Sequence, residues 1–163
     1  MQGLLGWQPN LYRLVTMGGT MYATGTTLYV SGKPELLPMS DRLQYNHSVL
    51  LAAQSWINNK PNTLKAVIRA LLKATDLLAS DRPKALAAMQ KQLRIDMDAL
   101  KIMADANKYG MAIDDALAAS LKFQSDWALQ IKRTAKPVIP EQGFAPQLLK
   151  AIRPEMVSWT ARS

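Results

Sequence analysis

The stretch Asn62–Ser80, NTLKAVIRALLKATDLLAS, gives the clearest structural signal in the chain. Its apolar residues recur at spacings of three and four, which is the period of an α-helix with one face buried. Asn62 or Thr63 can cap the start of this helix, directly after Pro61. The apolar positions are Leu64, Val67, Ile68, Leu71, Leu72, Thr75 and Leu78, and the polar face holds Lys65, Arg69, Lys73 and Asp76.

Further helices are predicted along the chain after residue 52. Asp81, Asp96 and Asp114 each precede a periodic segment as N-cap residues, and the segments end near Leu93, Asn107 and Arg133. In the last of them, Ile113, Leu117, Leu121, Ala128 and Ile131 form one stripe, which Phe123 and Trp127 widen. Residues 137–143 are predicted to be an extended linker, and a short helix is predicted from Pro146 to Ile152.

The first third of the chain has a different composition, with six of the eight glycines before residue 49. Residues 21–30 are rich in Thr, Tyr and Val, which favours a strand that Ser31-Gly32-Lys33-Pro34 ends as a turn. Tyr45–Leu51 is a second candidate strand. Residues 9–17 are predicted to form a short helix with Pro9 in its first turn.

Composition fits a globular protein and excludes several kinds of site. The 163 residues are 48% hydrophobic and carry a net charge of +8, which suits an anionic ligand, a nucleic acid or a membrane surface. The basic residues form no stripe interleaved with aromatics, which argues against nucleic acid as a partner. The absence of Cys excludes disulfides and thiolate chemistry.

Neither a signal peptide nor a membrane-spanning segment is predicted. The amino terminus has no basic region followed by a long apolar run, so the chain as written is expected to stay in the cytoplasm. No stretch approaches the roughly 18 apolar residues of a membrane helix. We therefore expect no membrane insertion.

No catalytic or metal-binding constellation is predicted, and no cofactor is expected. His47 is the single His, and its proximity to Ser48 in sequence does not make a catalytic arrangement. Asp96, Asp98 and the Asp114–Asp115 pair stand at helix starts, where capping explains them. The chain is therefore not expected to be an enzyme.

Three residues stand out as candidate ligand-binding residues. Trp7 is an aromatic residue close to Gly and Pro and outside any periodic face, so it suits either a pocket wall or the edge of a core. Tyr45 and Asn46 begin the second candidate strand after a polar loop. Polar side chains at a strand end can bind a ligand or take part in ordinary pairing.

Four stretches, in this order, resemble the second half of the taurine/nitrate/sulfonate-binding proteins of ABC importers. Residues 6–10, GWQPN, resemble the "W-E-P" turn of that family. Residues 45–61 resemble the segment that crosses back between the two lobes. Residues 62–75 resemble the helix "P-E-T-V-K-A-F-L-R-A-L-L-K-A", the most specific of the four. Residues 80–85, SDRPKA, resemble the restart "N-P-E-E-A".

The resemblance implies a partial type II periplasmic-binding fold, an α/β fragment that is mostly α-helical. It implies a few strands in the first third and about five helices after residue 52. Residues 1–43 would finish the second lobe as a short helix and a strand hairpin, and 44–52 would form the inter-lobe crossover strand. Residues 53–163 would be the helical part of the first lobe.

The same resemblance implies a solute-binding component for a small anion such as a sulfonate, taurine or nitrate, docking on an ABC permease. That family works in the periplasm. Relative to it, the chain is expected to lack the amino-terminal half, which would leave apolar faces such as Leu64, Val67 and Leu71 exposed. Homo-oligomerisation could bury them. The alternative function is a truncated helical protein that acts through homo-oligomeric or protein–protein interaction without transport.

Overall fold

The computed structural model describes residues 6, 9–25, 27–38, 47–137 and 139–160. This part is mostly helical, with one small antiparallel sheet, so the predicted α/β composition dominated by helices is confirmed. In order, the elements are α1 (Asn10–Thr16), β1 (Thr27–Val30), β2 (Lys33–Leu36), α2 (Gln54–Asn59), α3 (Pro61–Ser80), α4 (Arg82–Leu93), α5 (Met97–Asp105), α6 (Asp115–Gln130) and α7 (Pro146–Lys150).

The small sheet is a hairpin whose turn explains its register. Thr27 pairs with Leu36 and Val30 with Lys33. Ser31 and Gly32 connect the strands with φ angles of 50° and 79°, and two successive positive φ angles suit the twist of a tight hairpin. The predicted turn is confirmed at these two residues. Pro34, predicted as part of the turn, lies in β2, which tolerates proline because β1 is its only partner strand among the described residues and its other edge needs no N–H donor.

Caps fix the starts of three helices where the sequence predicts them. The Asp81 carboxylate accepts a hydrogen bond from the Lys84 backbone N–H at 3.1 Å. Asp96 accepts from the N–H groups of Asp98 and Ala99 at 2.8 and 3.1 Å. Asp114 accepts from the Leu117 N–H at 2.8 Å. Each cap satisfies backbone donors that have no partner inside the helix.

Helix ends and connections are predicted less well. The helix after Asp96 ends at Asp105, and the helix after Asp114 ends at Gln130, each earlier than predicted. Lys132, just beyond the second end, has a positive φ of 59° that an α-helix does not accommodate. The prediction of an extended linker over residues 137–143 is wrong at its end, because Pro140–Gly143 forms a 3-10 helix.

The chain divides into two compact units, each with its own apolar cluster. The first unit comprises residues 1–45 and 77–109. Within it, α4 and α5 pack together with the end of α3 around Leu100, which is fully buried. The buried members of this cluster are Leu78, Ala85, Leu86, Leu100 and Ala104.

The second unit comprises residues 46–76 and 110–163. Its cluster joins one face of α3 to α7 through Leu64, Ile68, Leu72, Leu148 and Leu149. The chain after α7 pairs with Ile113, whose backbone N–H donates to the Met156 carbonyl at 2.9 Å. The predicted domain boundaries at residues 43 and 52 stay predictions.

Candidate functional site

The three predicted ligand-binding residues, Trp7, Tyr45 and Asn46, lie outside the described residues. Their role stays a prediction. The first described residues after Tyr45 and Asn46 are His47 and Ser48, and both are exposed.

An exposed apolar segment, Ser48–Ala53 (SVLLAA), follows these residues. Val49 is 46% exposed, Leu50 50% and Leu51 85%. The segment forms neither helix nor strand, and within the described part of the chain residues 47–52 make no backbone–backbone hydrogen bond. The second strand predicted over residues 45–51 is therefore absent from its described portion, residues 47–51. A strand needs a neighbour to pair with, and no described residue supplies one here.

The segment leads directly into α2. The Ala53 carbonyl accepts hydrogen bonds from the N–H groups of Trp56 and Ile57 at 2.9 and 3.2 Å, which begins the helix. Trp56 is 47% exposed, and the Lys60 ammonium lies 4.9 Å from the centre of its ring. This cation–π contact holds Lys60 over the indole. Apolar and cationic groups therefore lie close together at this end of the second unit.

One side of α3 is also only partly covered. Leu64, predicted to be exposed with Val67 and Leu71, is instead buried at 7% exposure in the cluster with α7. Val67 and Leu71 remain 41% and 40% exposed. These two side chains are one turn apart, so they lie together on one side of the buried stripe. The apolar face of α3 is wider than the surface that α7 covers.

An ion pair between α3 and the chain after α7 is the main charged contact that sequence reasoning missed. The two terminal nitrogens of Arg153 donate to the two carboxylate oxygens of Asp76 at 2.8 and 2.6 Å. The hydrogen bond from Arg153 lowers the pKa of Asp76, and the hydrogen bond to Asp76 raises the pKa of Arg153. No local pattern joins two residues 77 positions apart. The bidentate geometry of this ion pair suits a structural link between α3 and the chain after α7.

A shallow open groove of about 460 Å³ lies in the first unit between α4 and α5. Pro83, Leu86 and Met97 give it apolar walls, and Arg82 and Lys101 bring positive charge. Arg82 pairs with Asp105, and Lys101 lies 3.3 Å from Asp98, so a carboxylate already accompanies each cation. An anion entering the groove would compete with these carboxylates.

The helix α6 has exposed aromatic residues on the side that faces away from its buried residues. Phe123 is 69% exposed and Trp127 54%, although the sequence places them on the widened buried stripe. Leu117 and Ala118 are buried, and Leu121 is half-buried. Leu121 and Phe123 are two residues apart, about 200° of rotation, so they lie on opposite sides of the helix. The prediction that Phe123 and Trp127 widen the core stripe is wrong.

The described residues contain no group of three or more His, Asp or Glu side chains placed to hold a metal ion. Among the helices in the same residues, none has the length and apolar character needed to cross a membrane.

A comparison of the chain with models of protein families, with curated proteins and with solved structures finds no match.

Proposed function

We propose that the chain is the helical part of a solute-binding component of an ABC importer, which takes up a small anion such as a sulfonate, taurine or nitrate. The observation that carries this proposal is the exposed apolar segment Ser48–Ala53. It stands where the sequence resembles the strand that crosses between the two lobes of such proteins.

The chemistry of the segment suits a strand in the middle of a sheet. Val49, Leu50 and Leu51 are consecutive and apolar, so in a strand they would point to alternate faces and make both faces apolar. Strands of this kind belong to sheets that helices cover on both sides. Residues 47–52 make no backbone–backbone hydrogen bond to another described residue, which is compatible with such pairing.

The exposed side of α3 agrees with the same arrangement. Val67 and Leu71 form an apolar surface beside the core stripe, of the kind a helix presents to a sheet. The resemblance assigns α3 to the helical layer of the first lobe. If residues 48–53 joined a sheet, the exposed apolar side of α3 would provide a surface for that sheet to pack against.

The charge of the chain supports an anionic solute. A net charge of +8 gives the surface a positive potential, which raises the local concentration of small anions. Trp7, Tyr45 and Asn46 remain the proposed ligand-binding residues, and an ABC permease the proposed partner of the loaded protein.

Thermal unfolding of the full chain with taurine, an alkyl sulfonate, nitrate or a small carboxylate tests this function. A ligand at a hundred times its Kd stabilises the folded state by about 2.7 kcal/mol, which corresponds to a rise of roughly 5–10 °C in melting temperature. Chloride at matched ionic strength is the control. Equal shifts with every salt, or no shift with any anion, would contradict a solute-binding function.

A further inference from the structure

The structure assigns a self-association surface to α6: we propose that two copies of the chain pair through this helix in antiparallel orientation. The surface consists of Ala116, Ala119, Phe123 and Trp127. It does not depend on solute binding, and it gives the alternative function, homo-oligomeric interaction, a defined interface.

The four residues form one continuous side of the helix. They are separated by three, four and four positions, so they follow one another along the same face. All four residues are exposed, and Phe123 and Trp127 are each more than half exposed. Large exposed aromatic side chains next to small ones are typical of a surface that packs against another helix.

The charges at the two ends of α6 select a second copy as the occupant and an antiparallel orientation. Asp115 begins the helix, whereas Lys132 and Arg133 follow its last turn, and all three are exposed. None of these three side chains forms an ion pair with another described residue. Antiparallel pairing brings the acidic start of each copy to the basic end of the other, and parallel pairing would bring like charges together.

The positions along the helix are also self-complementary. Phe123 and Trp127 are each two residues from Ser125, and Ala119 and Ile131 are each six residues from it. An antiparallel pair with its twofold axis at the level of Ser125 brings the start of each helix, with Asp115, towards the end of the other, which Lys132 and Arg133 follow. The same axis brings Phe123 of each copy to Trp127 of the other, and Ala119 to Ile131 of the other. A twofold interface requires a self-complementary surface of this kind, in which the same residues of both copies contact one another.

The size of the surface predicts a weak dimer. A stable interface buries about 800 Å² on each partner, and a helix of this length alone offers less. We therefore expect a monomer–dimer equilibrium that shifts with protein concentration. Basic groups lie next to the apolar residues of this surface, so an anionic lipid surface could also bind there. The test must therefore distinguish lipid binding from pairing of two copies.

The test is sedimentation velocity of the full chain from about 1 µM to about 200 µM, a range that spans weak association. We expect the mean mass to rise towards that of a dimer. The double variant Phe123→Gln, Trp127→Gln should weaken the dimer at least about tenfold. The matched control Ile102→Gln removes an apolar side chain that is 42% exposed on α5, and it should leave association unchanged.

Two charge variants test the orientation without touching the apolar residues. Asp115→Lys and Arg133→Glu each place like charges opposite one another in their own homodimers, so each should associate about tenfold less tightly alone. An equimolar mixture of the two restores both opposite-charge pairs and should recover dimers. Circular dichroism of each variant checks that its helix content is unchanged.

Several outcomes would overturn the proposal. They are a monomeric wild-type chain at every concentration, an aromatic double variant that dimerises normally, and a mixture of charge variants that stays monomeric. Co-sedimentation of a monomeric wild-type chain with anionic phospholipid vesicles, lost in the aromatic double variant, would assign the surface to a membrane instead.

Discussion

At the residue scale, the pairing of Arg153 with Asp76 shows how a single contact can link distant parts of a chain. The guanidinium meets both carboxylate oxygens, which restricts the orientation of both side chains. Arg153 follows α7, whereas Asp76 lies in α3, so the contact supplements the apolar cluster between these two helices. The side chain of Asp76 is 52% exposed, so the solvent screens much of the attraction.

This pair makes stability depend on pH in a definite direction. Because the pKa of Asp76 is lowered in the folded state, its contribution is complete above the unfolded value of about 3.9. It is lost as the pH falls through the lowered folded value. The raised pKa of Arg153 keeps that group charged throughout this range. We expect Asp76→Asn to lower the melting temperature slightly near neutral pH, and the difference from wild type to shrink in acid.

Thermal unfolding of wild type and Asp76→Asn across a pH series measures this difference. Asp126→Asn is the matched control, since Asp126 pairs with Lys122 within the same helix at 2.6 Å and links no distant segments. A difference between wild type and Asp76→Asn that stayed constant into acid would show that the carboxylate does not stabilise the fold through its charge.

At the element scale, local sequence signals determine where helices start better than where they end. Asp81, Asp96 and Asp114 were recognisable because one short side chain can satisfy backbone N–H groups two or three residues further on. At the end of α5 the side-chain amide of Asn107, two residues beyond the last helical residue, donates a hydrogen bond to the Met103 carbonyl at 2.6 Å, and the positive φ of Lys132 after α6 follows no local sequence pattern. The sequence also does not determine which side of α6 is buried, because the spacing of apolar residues alone does not show which of two apolar sides packs against another element.

The Asp96 cap gives a direct test of this account. Its carboxylate accepts two backbone hydrogen bonds, so Asp96→Ala should destabilise the chain by about 1 kcal/mol. Urea unfolding followed by circular dichroism measures the loss. Asp96→Asn is the matched control, since its amide oxygen can still accept these bonds, and it should keep most of the stability. Equal losses in the two variants would mean that capping is not the role of this side chain.

At the scale of the whole molecule, the helical parts were predictable and the pairing of strands was not. The α3 periodicity identified a buried face because Leu64, Ile68 and Leu72 recur at helical spacing, and these residues form the core of the second unit. Residues 45–51 have the composition of a strand, but composition does not supply a neighbouring strand. The candidate site depended on Trp7, Tyr45 and Asn46, whose surroundings no local pattern specifies.

Hydrogen exchange across the chain tests the state of the exposed apolar segment. Amides without hydrogen bonds exchange at nearly the unprotected rate, and those in packed helices exchange far more slowly. We expect fast exchange at Val49, Leu50 and Leu51 and the strongest protection near the fully buried Leu100 and the buried Leu72. The capped helix α5 serves as the internal reference. Strong protection at all three residues of the segment in the isolated chain would mean that they already pair with a strand. The proposal of a solute-binding component would then lose the observation on which it rests.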